Sequence, residues 1–326
     1  MTMKWIPAFA GMTLAALLVS SAQAEAQEYP TKPIRMIIPL AAASAVDNAA
    51  RIVTQKMTEN MGQPFVIENI PGAAGMIGTE RVAKAAPDGY TIGGFNDSIM
   101  TMLPNLNDKL SWDIVRDFEP VSLVGTIEWG LITGLDTPYK TAADVIADAK
   151  ARPGKVDYGS GGNGSPQHIA MALFASQAGL TMTHVPYKGA TQAAVGVAAN
   201  EVPVGFQGLG TAASLINSKK VRLLGVSTPT KLAAFPDAPT ISESGLPGFE
   251  FNSWFAVMAP AGTPKAIVNK LNAEFRKALA DPGVREKLAA QGFTIRGSSP
   301  EELGTATKAQ LAKYQRVMKA AGIKAE

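Results

Sequence analysis

At 326 residues, with 46% apolar and 17% charged side chains, the chain is long enough for two ordinary domains and too apolar to stay disordered. Its net charge of +3 is spread without a run of Lys or Arg, which leaves no electrostatic footprint for nucleic acid. The absence of cysteine excludes disulfides, thiol catalysis and Cys-ligated zinc, and two histidines argue against a metal site, so neither metal nor cofactor is expected.

The first two dozen residues have the pattern of a signal peptide. Lys4 supplies positive charge, residues 13–19 form an apolar core, and Ala22-Gln23-Ala24 is an A-x-A cleavage motif. The expected leader is residues 1–24, with Ala24-Glu25-Ala26 offering a second cut after 26. The alternative of a membrane anchor fails on length, because the apolar run cannot cross ~30 Å of hydrocarbon. No cysteine follows the core, so a lipobox is lacking, and the mature chain is expected to be soluble outside the cytoplasmic membrane.

Strand-like and helix-like patterns then alternate. Residues 34–39 (IRMIIP) read as a strand, 47–61 as a helix with Ala50, Val53 and Met57 on one face, and 65–68 as a strand. A helix over 76–86 ends at the Pro87-Asp88-Gly89 turn, and 90–95 is the next strand. This order predicts parallel strands with right-handed crossovers. After an apolar β-rich stretch at 121–133, the alternation resumes: helices over 142–151, 167–178, 190–199 and 212–218, strands over 156–159, 182–185, 202–206 and 222–227. An extended run at 249–259 precedes three helices that open at Pro264, Pro282 and Pro300.

Two α/β units joined by two extended crossings predict two lobes with a hinge, the C-terminal helices returning to the first. The expected division is 27–125 plus 251–326 for lobe 1 and 126–250 for lobe 2. A single larger doubly wound sheet is the competing arrangement. Either way, ligands bind at the carboxyl ends of parallel strands, where helix N-termini present unpaired N–H groups.

Four loops after strands are candidates for holding an anion. In the loop after the first strand, Ala42, Ala43 and Ser44 offer backbone and hydroxyl donors, and Asp47 either caps the helix or accepts from a ligand. The second loop contains Ser160, Gly162, Asn163, Gly164, Ser165 and His168; its glycines admit close backbone approach, and Ser165 before Pro166 suits a helix cap. No Gly-Lys-Ser/Thr ends it, so it is not a P-loop. Tyr187 and Lys188 form the third candidate, and Asn96 with Ser98 the fourth. Gln207, at the end of another strand, is a further ligand candidate. Residues 72–78 have a G-x-x-G-x-x-G look but lack the strand-and-acid context of a dinucleotide fingerprint, so a turn is expected there. Trp129 in the first crossing either stacks on an aromatic acid or packs in the core.

Taken in order, YPTKPIRMIIP, GQPFVIENIPGAAGMIGTERVAKAAPDGYTI, DFEPVSLVG, GSGGNGSPQHIAMALF, HVPYKGATQA, FPDAPTISESGLPGFE and SWFAVMAPAGTP resemble the Bug receptors of tripartite tricarboxylate transporters. The resemblance implies a type II periplasmic-binding fold, two Rossmann-like lobes joined by a hinge of two crossing strands. It also implies a small-molecule carboxylate held between the lobes, a periplasmic location, a transient two-subunit inner-membrane transporter partner and a monomeric receptor. The family's first loop has an aromatic and two glycines where this chain has Leu40, Ala43 and Ser44. Because Ala disfavours positive φ, the loop is expected to take a different path or to present the Ser44 hydroxyl.

Two other classes of function stay open at this point. The same closed receptor could signal to a membrane kinase. An exported hydrolase would need a nucleophile and a base, yet no G-x-S-x-G elbow exists, since Tyr158 stands at the first glycine position.

Overall fold

The computed structural model describes residues 29–321; the expected leader over 1–24 and its cleavage motifs lie outside them. In chain order the elements begin with β1 (Ile34–Ile38), α1 (Ala45–Met61), β2 (Phe65–Asn69), a 3-10 turn (Ala73–Gly75), α2 (Met76–Ala83) and β3 (Thr91–Phe95). A π-helical turn (Ser98–Met102) runs into α3 (Leu103–Leu106), and β4 (Phe118–Gly134) follows. The next set is α4 (Ala142–Ala151), β5 (Asp157–Ser160), α5 (Pro166–Ala178), β6 (Thr183–Pro186), α6 (Ala190–Ala198), β7 (Val204–Gly208), α7 (Leu209–Asn217) and β8 (Val221–Val226). The chain closes with β9 (Asn252–Pro260), α8 (Lys265–Ala280), α9 (Pro282–Ala289), β10 (Phe293–Ile295) and α10 (Pro300–Ala321).

The strands join in the order β2-β1-β3-β9-β4-β7-β5-β6, with β8 and β10 also on β4. β1 is parallel to β2 and β3, and β5 is parallel to β6 and β7, as βαβ crossovers require. β4 holds the two halves together. It pairs antiparallel with β9 as far as Glu128 opposite Asn252, then with β7 and β8 from Trp129 and Gly130 onward. Two α/β lobes on one shared strand result, in place of the single doubly wound sheet.

Local chemistry accounts for the elements. β1 buries every side chain except Arg35, the continuous apolar run of a strand covered on both faces. α1 buries Ala49, Ala50, Val53 and Met57 at helical spacing and stops at Gly62, whose φ of 69° lets its N–H reach Thr58 O. α4 starts with a capping box between Thr141 and Asp144. α8 packs on α1 and β4, and α10 packs on β4, the π turn and α3, so both C-terminal helices return to lobe 1.

Several boundaries differ from those expected. α1 begins two residues before Asp47, because Ser44 is extended (ψ 161°) and its hydroxyl accepts the Asp47 N–H at 3.4 Å. α2 stops at Ala83, three residues short, where Lys84 leaves helical geometry. Residues 98–106 form a helical turn where sequence patterning gave only a short polar loop.

Candidate ligand-binding cleft

Between the lobes lies a cleft of about 690 Å3, bounded by the ends of β1, β3, β5, β6 and β7 and by the N-termini of α1, α5, α6 and α7. Among the expected residues, Ser44, Asn96, Ser98, Trp129, Gly162, Asn163, Gly164, Ser165, Tyr187 and Lys188 line it. Ala42, Ala43, Asp47, Ser160, His168 and Gln207 do not line it; they stand behind or beside the lining.

The first loop is organised from underneath by Asp47, which is 2% exposed. Its Oδ2 accepts from Ala43 N at 2.8 Å and Arg51 Nε at 3.1 Å, its Oδ1 accepts from Asn69 Nδ2 at 3.0 Å, and Arg51 Nη2 forms an ion pair with Oδ1 at 3.0 Å. Three hydrogen bonds and the Arg51 ion pair engage the carboxylate, so Asp47 shapes the loop from beneath the lining. Ala43 sits in the left-handed region (φ 58°), held there by its bond to Asp47. The loop thus holds an alanine at positive φ, at a cost of about 1 kcal/mol. Ala43→Gly should therefore raise stability by about 1 kcal/mol, read as the urea midpoint at constant m; a lower midpoint would show that the strain is absent. Ala43 borders a second hollow of about 640 Å3, beside Asn48 and Thr191.

The second loop rests on a stack of rings. His168 and His184 lie parallel with centroids 4.2 Å apart, and Tyr158 stacks on His184 at 5.0 Å. Gly164 N donates to His168 Nδ1 at 3.1 Å, so that nitrogen carries no proton. Ser160 Oγ bonds His184 Nε2 at 2.5 Å and accepts from Gly162 N at 3.1 Å. The histidines and Ser160 thus pin the glycine loop from behind. Ser165 caps α5, its hydroxyl accepting His168 N at 3.3 Å, and Pro166 follows at the first helical position. Val46 in α1 and Gln167 in α5 occupy second helical positions, whose N–H groups have no intrahelical acceptor.

The lobes touch across the cleft. Ser98 Oγ donates to Gly164 O at 3.1 Å, Thr191 Oγ1 donates to Ala42 O at 2.9 Å, and Ala45 N donates to Thr211 Oγ1 at 2.9 Å. Asn96 is turned inward as a local cap, its Oδ1 accepting from Ile99 N at 3.1 Å. The Tyr187 phenol donates to Glu201 at 3.0 Å, and burial followed by that contact pushes its pKa up to about 12. Lys188 stays exposed at the rim. Trp129 is both core and lining: its Nε1 donates to Ser253 Oγ at 2.9 Å and its ring meets Phe251 edge-on at 5.2 Å. Gln207 is fully buried, its Oε1 accepting from Gln167 Nε2 at 3.3 Å.

Sequence reading missed part of the wall. Pro71–Met76, Leu103, Leu106, Asn107, Thr211 and Ser253 also line the cleft. Ala73 and Ala74 adopt positive φ (47° and 54°) between Gly72 and Gly75, a left-handed run that strain alone could have flagged. Among the described residues there is no cluster of metal-ligating side chains.

Two α/β lobes on one shared strand, with helix N-termini opening on the cleft between them, define a periplasmic solute-binding protein. Residues 49–323 match the family described as tripartite tricarboxylate transporter family receptor. The protein from the tcbD–tcbE intergenic region of a Pseudomonas species is 35% identical over 310 residues, 95% of this chain and 92% of its own. Protein BugT of Bordetella pertussis is 32% identical, covering 93% and 94%. An R. palustris structure with adipate superposes with a TM-score of 0.88 at 32% identity, covering 91% of this chain and 99% of that one. The chain belongs to the tripartite tricarboxylate transporter receptor family, the Bug receptors, and is a binding protein rather than an enzyme.

Proposed function

We propose that this receptor captures a small organic carboxylate in the interlobe cleft and hands it to a two-subunit inner-membrane transporter. The observation that carries the reading is the pair of Ser-capped helix N-termini, α1 and α5, facing one cleft from opposite lobes. Each such end carries roughly half a positive charge and unpaired donors, the complement of a carboxylate. Val46 N, Gln167 N and the hydroxyls of Ser44 and Ser165 are the groups offered to the ligand.

Closure is a hinge motion between lobe 1 (27–125 plus 251–326) and lobe 2 (126–250), supported by the hand-over of β4 between sheets at Glu128 and Trp129. The leader motif supports export of the chain to the periplasm. The adipate in the R. palustris relative supports a carboxylate ligand here.

A thermal-shift panel of mono-, di- and tricarboxylates tests the reading. A true ligand at 100 times its Kd adds about 2.7 kcal/mol of stability, and Ser165→Ala should shrink that shift while costing the free protein about 1 kcal/mol. No shift with any acid would overturn the carboxylate assignment.

A further inference from the structure

Two glutamine side chains meet beneath the second loop, and one of them has a bond unmet. Gln207 is fully buried on β7, opposite Gly130 of β4, and its Oε1 accepts from Gln167 Nε2 at 3.3 Å. Its own Nε2 has no hydrogen-bond partner among the described residues. Buried N–H groups without a partner are rarer than under-used carbonyls, because the lost solvation has nothing to replace it. Gln167 is 3% exposed, yet it lines the cleft from the second position of α5. With its nitrogen committed to Gln207, its Oε1 is the half that faces the glycine loop. A Cβ placed on Gly161, another lining residue, would stand 3.2 Å from that oxygen.

The pair therefore shows an acceptor to a site whose other offered groups are donors. Resting on the carboxylate reading above, we infer that the Gln167 and Gln207 amides turn over together when a carboxylate binds, so that Gln167 Nε2 joins the donors that hold it.

The oxygen and nitrogen of an amide exchange places by a half-turn of the terminal torsion, which has two broad wells and leaves the shape unchanged. After both half-turns Gln207 Nε2 donates to Gln167 Oε1, and the unpaired donor is gone. Gln207 Oε1 is left under-used, the commoner of the two defects. Gln167 Nε2 then takes the place beside the glycine loop, where a carboxylate at the α5 N-terminus accepts from it in a charge-assisted bond. Gln167 is the member that touches ligand. Gln207 is a positioning residue, acting only through Gln167.

Titration calorimetry of the full mature chain with benzoate, hexanoate, adipate and citrate selects the tightest probe. For that acid, Gln167→Met keeps the side-chain length, loses the amide and should weaken binding about tenfold, the loss of one hydrogen bond to a charged group. Gln207→Met leaves the Gln167 amide free to face the ligand and should bind within about threefold of the unaltered protein. A pair that merely braces the loop would lose affinity alike from either side, so equal losses would overturn the inference, as would an unchanged Gln167→Met. A second measurement needs no variant. In 15N–1H spectra of the unaltered protein, the Gln207 side-chain amide signals should move downfield on saturation with the probe, as the donor gains its partner. Gln207 signals that stay put would overturn the turn-over and leave the carboxylate receptor standing. Silence with all four acids would overturn the carboxylate reading itself, and this inference with it.

Discussion

Asp47→Ala is expected to cost about 2 kcal/mol of stability and to weaken ligand binding, although Asp47 stands behind the cleft lining. Its removal takes the acceptor from the part-buried Ala43 N–H and from one N–H of the Asn69 amide, which keeps its bond to Leu40 O, at about 1 kcal/mol each. The Arg51 bond contributes less, because that side chain is 52% exposed and water replaces the lost partner. Binding suffers because Ala43 holds its left-handed φ only while the carboxylate pins its N–H. A double variant with Ala43→Gly should therefore recover part of the affinity, since glycine takes that conformation unaided. Urea denaturation and calorimetry on the two single variants and the double would read the coupling. Strict additivity of the two substitutions would separate the carboxylate from the loop and sink the argument.

The second large effect is a pH dependence centred on Asp97. This side chain is fully buried, its Oδ1 accepts from Trp254 N at 3.1 Å, and its Oδ2 has no partner among the described residues. Burial raises its pKa from 3.8 to about 7, against the opposing pull of the Trp254 N–H and, more weakly, Lys313. A carboxyl group whose folded pKa lies above its unfolded value binds protons more tightly when folded. Its contribution is then largest below pH 3.8 and is lost as pH rises through about 7. About three units at 1.36 kcal/mol each give a loss of roughly 4 kcal/mol across that window. Asp97→Asn removes the titration, so its stability relative to the parent should climb between pH 4 and pH 7 and level off above. Carboxylates held low by their partners, such as Asp144 and Asp148, titrate in both proteins and cancel in the difference. Parallel stability–pH curves for the two proteins would refute the assignment.

Much of the frame was readable because its punctuation is chemical. Pro166, Pro282 and Pro300 open helices where fixed φ favours them, and Gly62 and Gly179 end helices with φ near 65–69°. Residues 98–106 escaped because Ile99, Met100, Met102 and Leu103 are buried nearly all round, leaving no amphipathic period to find. β10 has three residues and exists only through its pairing with β4, a tertiary fact. In the cleft, the glycine loop and the serine caps announced themselves by residue type. The wall of Met76, Leu103 and Leu106 did not, since apolar residues at helical spacing look like core. Asp47 and His168 were found, but their work is beneath the lining, a distinction that only the direction of each side chain reveals.

β4 belongs to both half-sheets, and this limits how such a receptor diversifies. A lobe cut out at residue 126 would take β4 from its partner or leave behind a bare edge, so the halves are not interchangeable parts. New cargo has to be met by editing the loops around the cleft while the spine is inherited whole. The alanines at positions 43, 73 and 74, each in a backbone conformation that glycine would adopt more readily, fit that pattern of substitution on a frame that could not move to suit them.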